Sequence, residues 1–287
     1  MHSIWHTVAD SVGRLTTARP GYAAAALALY VISLFIAGAR WRGFLRVLGG
    51  EVGVMRATLA TLGGIAAGNL TPPPGGEVVR IGLVQLGSRV TWSQAAIAAV
   101  WDRLSELPSI LVLGAMALVA MRHLTSGRRT ASIVIGLAVL LAGGAVLVWR
   151  LRRSGFAVSG WRERLALNRA SGRVFAEGIG YSALLWLQDF LRLTCAMRAF
   201  GVTLSPTQTA ALSIVAMLGG LVPAVAGLGP IEGGLVVGLM AFGVDLPTAA
   251  AVTALERAVS YGFSTSAGAI VIGLFGGRSV WRTARGR

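Results

Sequence analysis

Unbroken apolar runs, separated by arginines or by turn residues, follow one another from Gly21 to Phe275. YAAAALALYVISLFIAGA and ASIVIGLAVLLAGGAVLVW are two of them. A helix needs about 20 such residues to cross a bilayer. A membrane β-barrel would instead alternate apolar and polar positions in segments of about ten. These runs do not alternate, and a helix satisfies its own backbone hydrogen bonds in lipid. The pattern predicts an all-α polytopic membrane protein with full spans at 21–39, 51–70, 93–121, 131–149, 175–200, 206–223 and 247–275, about seven in all by the length criterion. The third and the last exceed one hydrocarbon thickness and must tilt, kink or project. Pro108 is a natural kink point in the third.

Two apolar stretches are too short to span comfortably as helices: 77–87 and 228–243, each preceded by a Pro/Gly-rich turn. They are read as re-entrant helices, buried in protein or lining a polar cavity, with a thin span as the alternative for the second. Residues 1–20 place Ile4, Val8, Val12 and Leu15 on one helical face beside Trp5, as an interfacial helix would. The organisation expected is that surface helix, one transmembrane domain over 21–275, and a basic tail over 276–287. The connection 150–173 mixes arginines with Phe156 and Trp161 and reads as a second interfacial segment.

Composition agrees with this pattern. Apolar residues make up 55% and charged residues 13%, against about 25% charged in soluble domains. The net charge is +15, with every one of the 26 basic residues an arginine. In a membrane protein such charge flanks the spans and meets anionic lipid, so it does not point to nucleic acid. Arginine is nearly balanced between the two expected faces, and a cytoplasmic C-terminus is favoured. Trp41, Trp92, Trp149 and Trp281 fall near span ends, where belt anchors lie. A single cysteine, Cys195, excludes an intramolecular disulfide, and His2, His6 and His123 lack the further ligands a metal would need. No P-loop, GxSxG elbow or HExxH pair is present, so no cofactor is expected and neither ATP use nor these hydrolase chemistries has a motif.

The most informative feature is a repeat. TPPPGGEVVRIGLVQLGSRVTWSQAAIAAVWDRLSEL begins at Thr71, and PAVAGLGPIEGGLVVGLMAFGVDLPTAAAVTALERAV begins at Pro223. Each runs through a turn, a glutamate opening a short helix, a second turn and a long helix with an acid–arginine pair. The pairs are Asp102-Arg103 and Glu256-Arg257, with Glu77 and Glu232 on the short helices. Both pairs sit roughly 14 Å into their helices at 1.5 Å per residue, near the membrane midplane. Adjacent residues point about 100° apart, so each member requires its own partner on another helix. Glu106, Asp189 and Arg192 add further charge within the spans, where it faces protein or a wet cavity, and Arg80 on the short helix is a further candidate, with an interfacial position as its alternative. The expectation is one central polar site, a candidate substrate-binding set of Glu77, Arg80, Asp102, Arg103, Glu106, Asp189, Arg192, Glu232, Glu256 and Arg257. The competing reading is that these charges form internal ion pairs that hold helices together.

These stretches, with ARWRGFLRVLGG after the first span, resemble the lysylphosphatidylglycerol synthase transmembrane-region family, also called flippase-like, over roughly residues 22–275. The resemblance implies a multi-pass protein of the bacterial cytoplasmic membrane that translocates or handles an anionic or aminoacylated phospholipid or a lipid-linked intermediate. Its implied partners are that lipid and a lipid-modifying enzyme. The alternative is a non-transporting accessory or enzyme subunit of a lipid, glycolipid or hopanoid pathway. No soluble synthase domain is expected here, so synthase activity is not carried over. The sequence departs from the family pattern by starting one span late and by having Asp102 where glutamate is usual.

Overall fold

A computed structural model describes residue 13 and residues 16–71, 75–86, 88–121, 172–221 and 229–285. The expected span 131–149 and connection 150–173 lie largely outside these residues, as does most of the N-terminal surface helix.

The described chain is helical throughout, and the helices begin and end where local chemistry dictates. Helix α1 (Pro20–Val47) opens on a proline and α2 covers Val54–Leu70. The short α3 is Gly75–Gln85 and the long α4 is Trp92–Met121, with Pro108 inside it. Helix α5 is Gly172–Ala199, α6 is Pro206–Leu221 and the short α7 is Pro230–Ala241. Helix α8 (Leu246–Arg257) passes through a π-helical turn, Ala258–Phe263, into α9 (Ser264–Arg285). Prolines at α1, α6, α7 and α8 occupy first-turn positions that need no N–H partner. Asp245 caps α8 by accepting from the Thr248 N–H at 3.1 Å. Thr91 and Gln94 exchange hydrogen bonds before α4 as Ser205 and Gln208 do before α6. Helices α1 and α5 both stop at a left-handed glycine, Gly49 (φ 80) and Gly201 (φ 75). In each case the next N–H turns back, Gly50 onto the Leu45 carbonyl and Val202 onto that of Met197.

α1 and α5 pack together and run antiparallel: Arg40 meets Ser182, Tyr30 lies by Arg192, and the Arg19 N–H bonds the Ala199 carbonyl at 2.9 Å. Two hydrophobic clusters flank this pair. One joins Trp41, Phe44, Leu45, Val84 and Ile97 of α1, α3 and α4. The other joins Leu193, Met197, Leu212, Leu239 and Val252 of α5–α8. A third, with Tyr30, Leu62 and Val271, seats α9 against α1 and α2. Ile32, Phe35, Leu187, Val237 and Ile270 lie exposed, an outward apolar surface suited to lipid. Among the described residues, Pro20–Val47 and the run Leu246–Gly276 are each long and apolar enough to cross a membrane.

The short helices depart from the re-entrant expectation. Helix α3 forms a tight antiparallel hairpin with α2: a Cβ on Gly76 would lie 2.6 Å from the Gly64 oxygen and 2.9 Å from the Gly68 Cα. The chain then continues down α2 and does not turn back. Gln94, in the first turn of α4, donates to the Leu48 carbonyl at 2.7 Å, and Val90 packs against Gly50. Residues 75–91 therefore return the chain to the end where α2 began, opposite Thr71. The second short helix does the same: Gly219 packs on Ile231 at the top of the α6–α7 hairpin, and Val244 packs against the same cluster as Val202 and Leu204 at its base. Length misled the expectation, because the turn residues after each short helix complete the traverse at up to about 3.3 Å each.

Three smaller expectations change. Arg40 and Trp41, read as flank charge and belt anchor, are 4% and 0% exposed, because α1 runs on to Val47 and buries them. Trp92 stays exposed as a belt residue would. The stretch expected as a tail from 276 continues α9 to Arg285.

Candidate functional site

Every residue of the candidate set is engaged, in two clusters. The first is centred on Asp102, 1% exposed on α4. One of its oxygens accepts from Arg40 Nε at 2.6 Å and the other from Arg80 Nη1 at 2.8 Å. Arg40 also donates to Glu106 at 2.6 Å and to the Ser182 hydroxyl at 2.9 Å, so one guanidinium ties α1 to α4 and α5. Arg103, one residue further round α4, points to α3 and donates to Glu77 at 2.5 Å, with Glu106 at 3.4 Å. Its side chain is 62% exposed, against 5% for Arg80.

The second cluster is centred on Glu256 of α8. One oxygen accepts from Arg192 of α5, and the other meets the Ser260 hydroxyl of the π turn at 3.4 Å. Arg192 also donates to Asp189 at 2.9 Å and lies over the Tyr30 ring, 5.6 Å from its centroid. Arg257 points to α7 and donates to Glu232 at 2.7 Å. Glu232 also caps its own helix, accepting from the Gly229 N–H at 2.7 Å. Arg257, Arg192, Asp189 and Glu256 line a cavity of about 280 Å³ among α5, α6, α7 and α8, together with the apolar Leu193, Met217 and Leu235.

The two clusters have one plan. An arginine on the first long helix meets the acid 62 residues later in one and 64 in the other. A glutamate on the short helix meets the following arginine 26 and 25 residues later. Arg40 and Arg192 each stand nine residues before their helix-ending glycine. Arg40 is the residue of the first cluster that pattern reading missed. Its place before Gly49, matching Arg192 before Gly201, was the available signal. The clusters are not one central site. Because α1 and α5 are antiparallel, they sit toward opposite ends of that pair, ten residues and so about 15 Å apart. Each member of the two acid–arginine pairs has a partner on a neighbouring helix, as the angular argument required, while Asp189 pairs with Arg192 on its own helix, and the second cluster borders a cavity.

The family model described as "Lysylphosphatidylglycerol synthase TM region" matches residues 5–268. A "UPF0104 membrane protein" of the archaeon Methanothermobacter thermautotrophicus is 26% identical over 299 residues, covering 91% of this chain and 88% of the relative.

Proposed function

This chain belongs to the lysylphosphatidylglycerol synthase transmembrane-region family, a flippase-like membrane family, and on that premise we propose that it moves an anionic or aminoacylated phospholipid, or a lipid-linked intermediate, across the cytoplasmic membrane. The headgroup enters the cavity among α5–α8 while the acyl chains stay in lipid. The observation that carries this reading is the cavity itself: about 280 Å³, lined by two arginines and two carboxylates together with apolar side chains that include Leu193 and Leu235. That volume suits a headgroup and falls at or below the lower end of small-molecule pockets, about 300 Å³. Arg257 offers a planar fork that matches phosphate oxygens, and Asp189 and Glu256 offer carboxylates to a nitrogen-bearing group. The reading treats the domain as a translocase and not as a catalyst.

The traverse proposed for this work is an inverted repeat. Helices α1–α4 form one copy and α5–α8 the other, related by a pseudo-twofold axis between α1 and α5. Its support is the shared plan of the charge clusters, the paired glycine stops and the antiparallel α1–α5 contact. Inverted repeats that meet near the midplane are a common basis for alternating exposure of one site to the two leaflets.

The test is transfer of labelled lipid by purified protein in vesicles, comparing Arg257→Lys with Arg257→Ala at equal folded level. If Arg257 grips phosphate, both variants lose at least tenfold in transfer, because lysine keeps charge and loses the fork. If Arg257 merely balances buried carboxylates, lysine is much milder than alanine. Normal transfer by a well-folded Arg257→Ala protein removes it from the site. Absence of transfer by the unaltered protein favours the accessory-subunit reading.

A further inference from the structure

The two clusters share a plan and differ in what fills them. In register with the charge pairs, Leu193 of the second copy corresponds to Trp41 of the first, Leu235 to Arg80, and Ser260 to Glu106. Leu193, Leu235 and Ser260 all line the cavity. In the first copy, the corresponding side chains are all larger. Arg80 stacks on Trp41, its guanidinium carbon 4.0 Å from the ring centroid, and Glu106 closes on Arg40.

The carboxylates at the centres report the same contrast. Asp102 spends its second oxygen on Arg80 at 2.8 Å. The second oxygen of Glu256 faces Ser260 at 3.4 Å. Arg80 Nη1 also lies 3.6 Å from Glu77, while its Nε and Nη2 are buried without hydrogen-bond partners among the described residues. Each stranded buried donor is costly. A leucine, as the other copy has, would fill apolar space without stranding any.

We propose that Arg80 is a tethered occupant of the first copy's version of the cavity, its guanidinium taking against Asp102 the position that a ligand's cationic nitrogen group takes against Glu256 in the second. Arg80 thereby makes the repeat unequal: one copy is sealed by its own side chain, and ligand loads at the other. The assignment rests on the pairing of the two copies proposed above, and it does not require that lipid be transported.

Removing the tether and supplying the group free in solution tests it. The full chain carrying Arg80→Ala is purified and its unfolding temperature followed against methylguanidinium, beside the unaltered protein and the Arg80→Ala/Asp102→Asn double variant. The Arg80→Ala protein should gain a few degrees more than the unaltered protein over the same titration, by linkage of binding to folding. The double variant should lose that excess. Trp41→Leu/Arg80→Leu, which copies the second half and leaves less empty volume, should show the same excess and serves if Arg80→Ala does not fold. Equal shifts in all these proteins would overturn the proposal, as would an excess that survives loss of the Asp102 charge. Since thermal shift is read without lipid transfer, failure of the transport reading leaves this result interpretable.

Discussion

At the scale of single residues, Arg40 carries the most structure. Its guanidinium meets Asp102, Glu106 and Ser182 from a position 4% exposed. Truncating one partner of a buried ion pair leaves the other charge stranded, typically at about 3–5 kcal/mol. Arg40→Ala is therefore expected to lower the unfolding temperature of the purified protein sharply. Arg40→Lys should recover only part of the loss, since a single ammonium cannot reproduce the fork between two carboxylates. Arg173, exposed and paired with Glu177 at 3.0 Å, is the contrasting case. Arg173→Ala should change stability by less than about 1 kcal/mol. Similar unfolding temperatures for the Arg40 and Arg173 alanine variants would contradict this assignment.

At the scale of elements, the short helices are held by glycine. Gly76 lets α3 sit against Gly64 and Gly68, whereas a Cβ on Gly82 of the same helix would meet nothing within 4 Å. Gly76→Ala should destabilise by roughly 1–3 kcal/mol through overpacking. Gly82→Ala should be neutral or stabilising by up to about 1 kcal/mol, from helix propensity alone. Thermal unfolding of the two variants in one detergent checks the sign as well as the size. Much of this level was legible beforehand. Most long helices start and stop within a few residues of the apolar runs, the ends of α1 and α9 excepted, and Glu77, Arg103, Glu232 and Arg257 were marked as matched charges of a repeat, though not as ion-pair partners. What was hidden was hidden for physical reasons. Arg40 and Trp41 look like flank residues because hydropathy falls at Arg40, while the helix runs on to Val47 and buries both. The passage of α3 across the molecule was hidden because extended residues travel farther per residue than helical ones.

At the scale of the molecule, the antiparallel α1–α5 pair fixes which ends share a face. Arg46 follows the end of the Arg40 cluster, and Arg89 lies by the start of α4, against the α1–α2 turn. Thr71 ends α2, and Arg198 lies at the end of α5 beside Arg19. Single cysteines at these four exposed positions, in a Cys195→Ala background, should label in two groups: 46 with 89 from one side of sealed vesicles, 71 with 198 from the other. Labelling of 71 and 89 from the same side would restore the re-entrant reading. Labelling of 46 and 198 from the same side would refute the inverted repeat. The two long helices also share an interruption just beyond their charge pairs. Pro108 takes one backbone donor out of α4, and the π turn Ala258–Phe263 widens the ladder at the matching place between α8 and α9. Mechanically, each is a pair of rods joined where the backbone ladder is weakest, and the ion pairs described above lie on the inner rod, so that any bend in either helix falls beyond its charges.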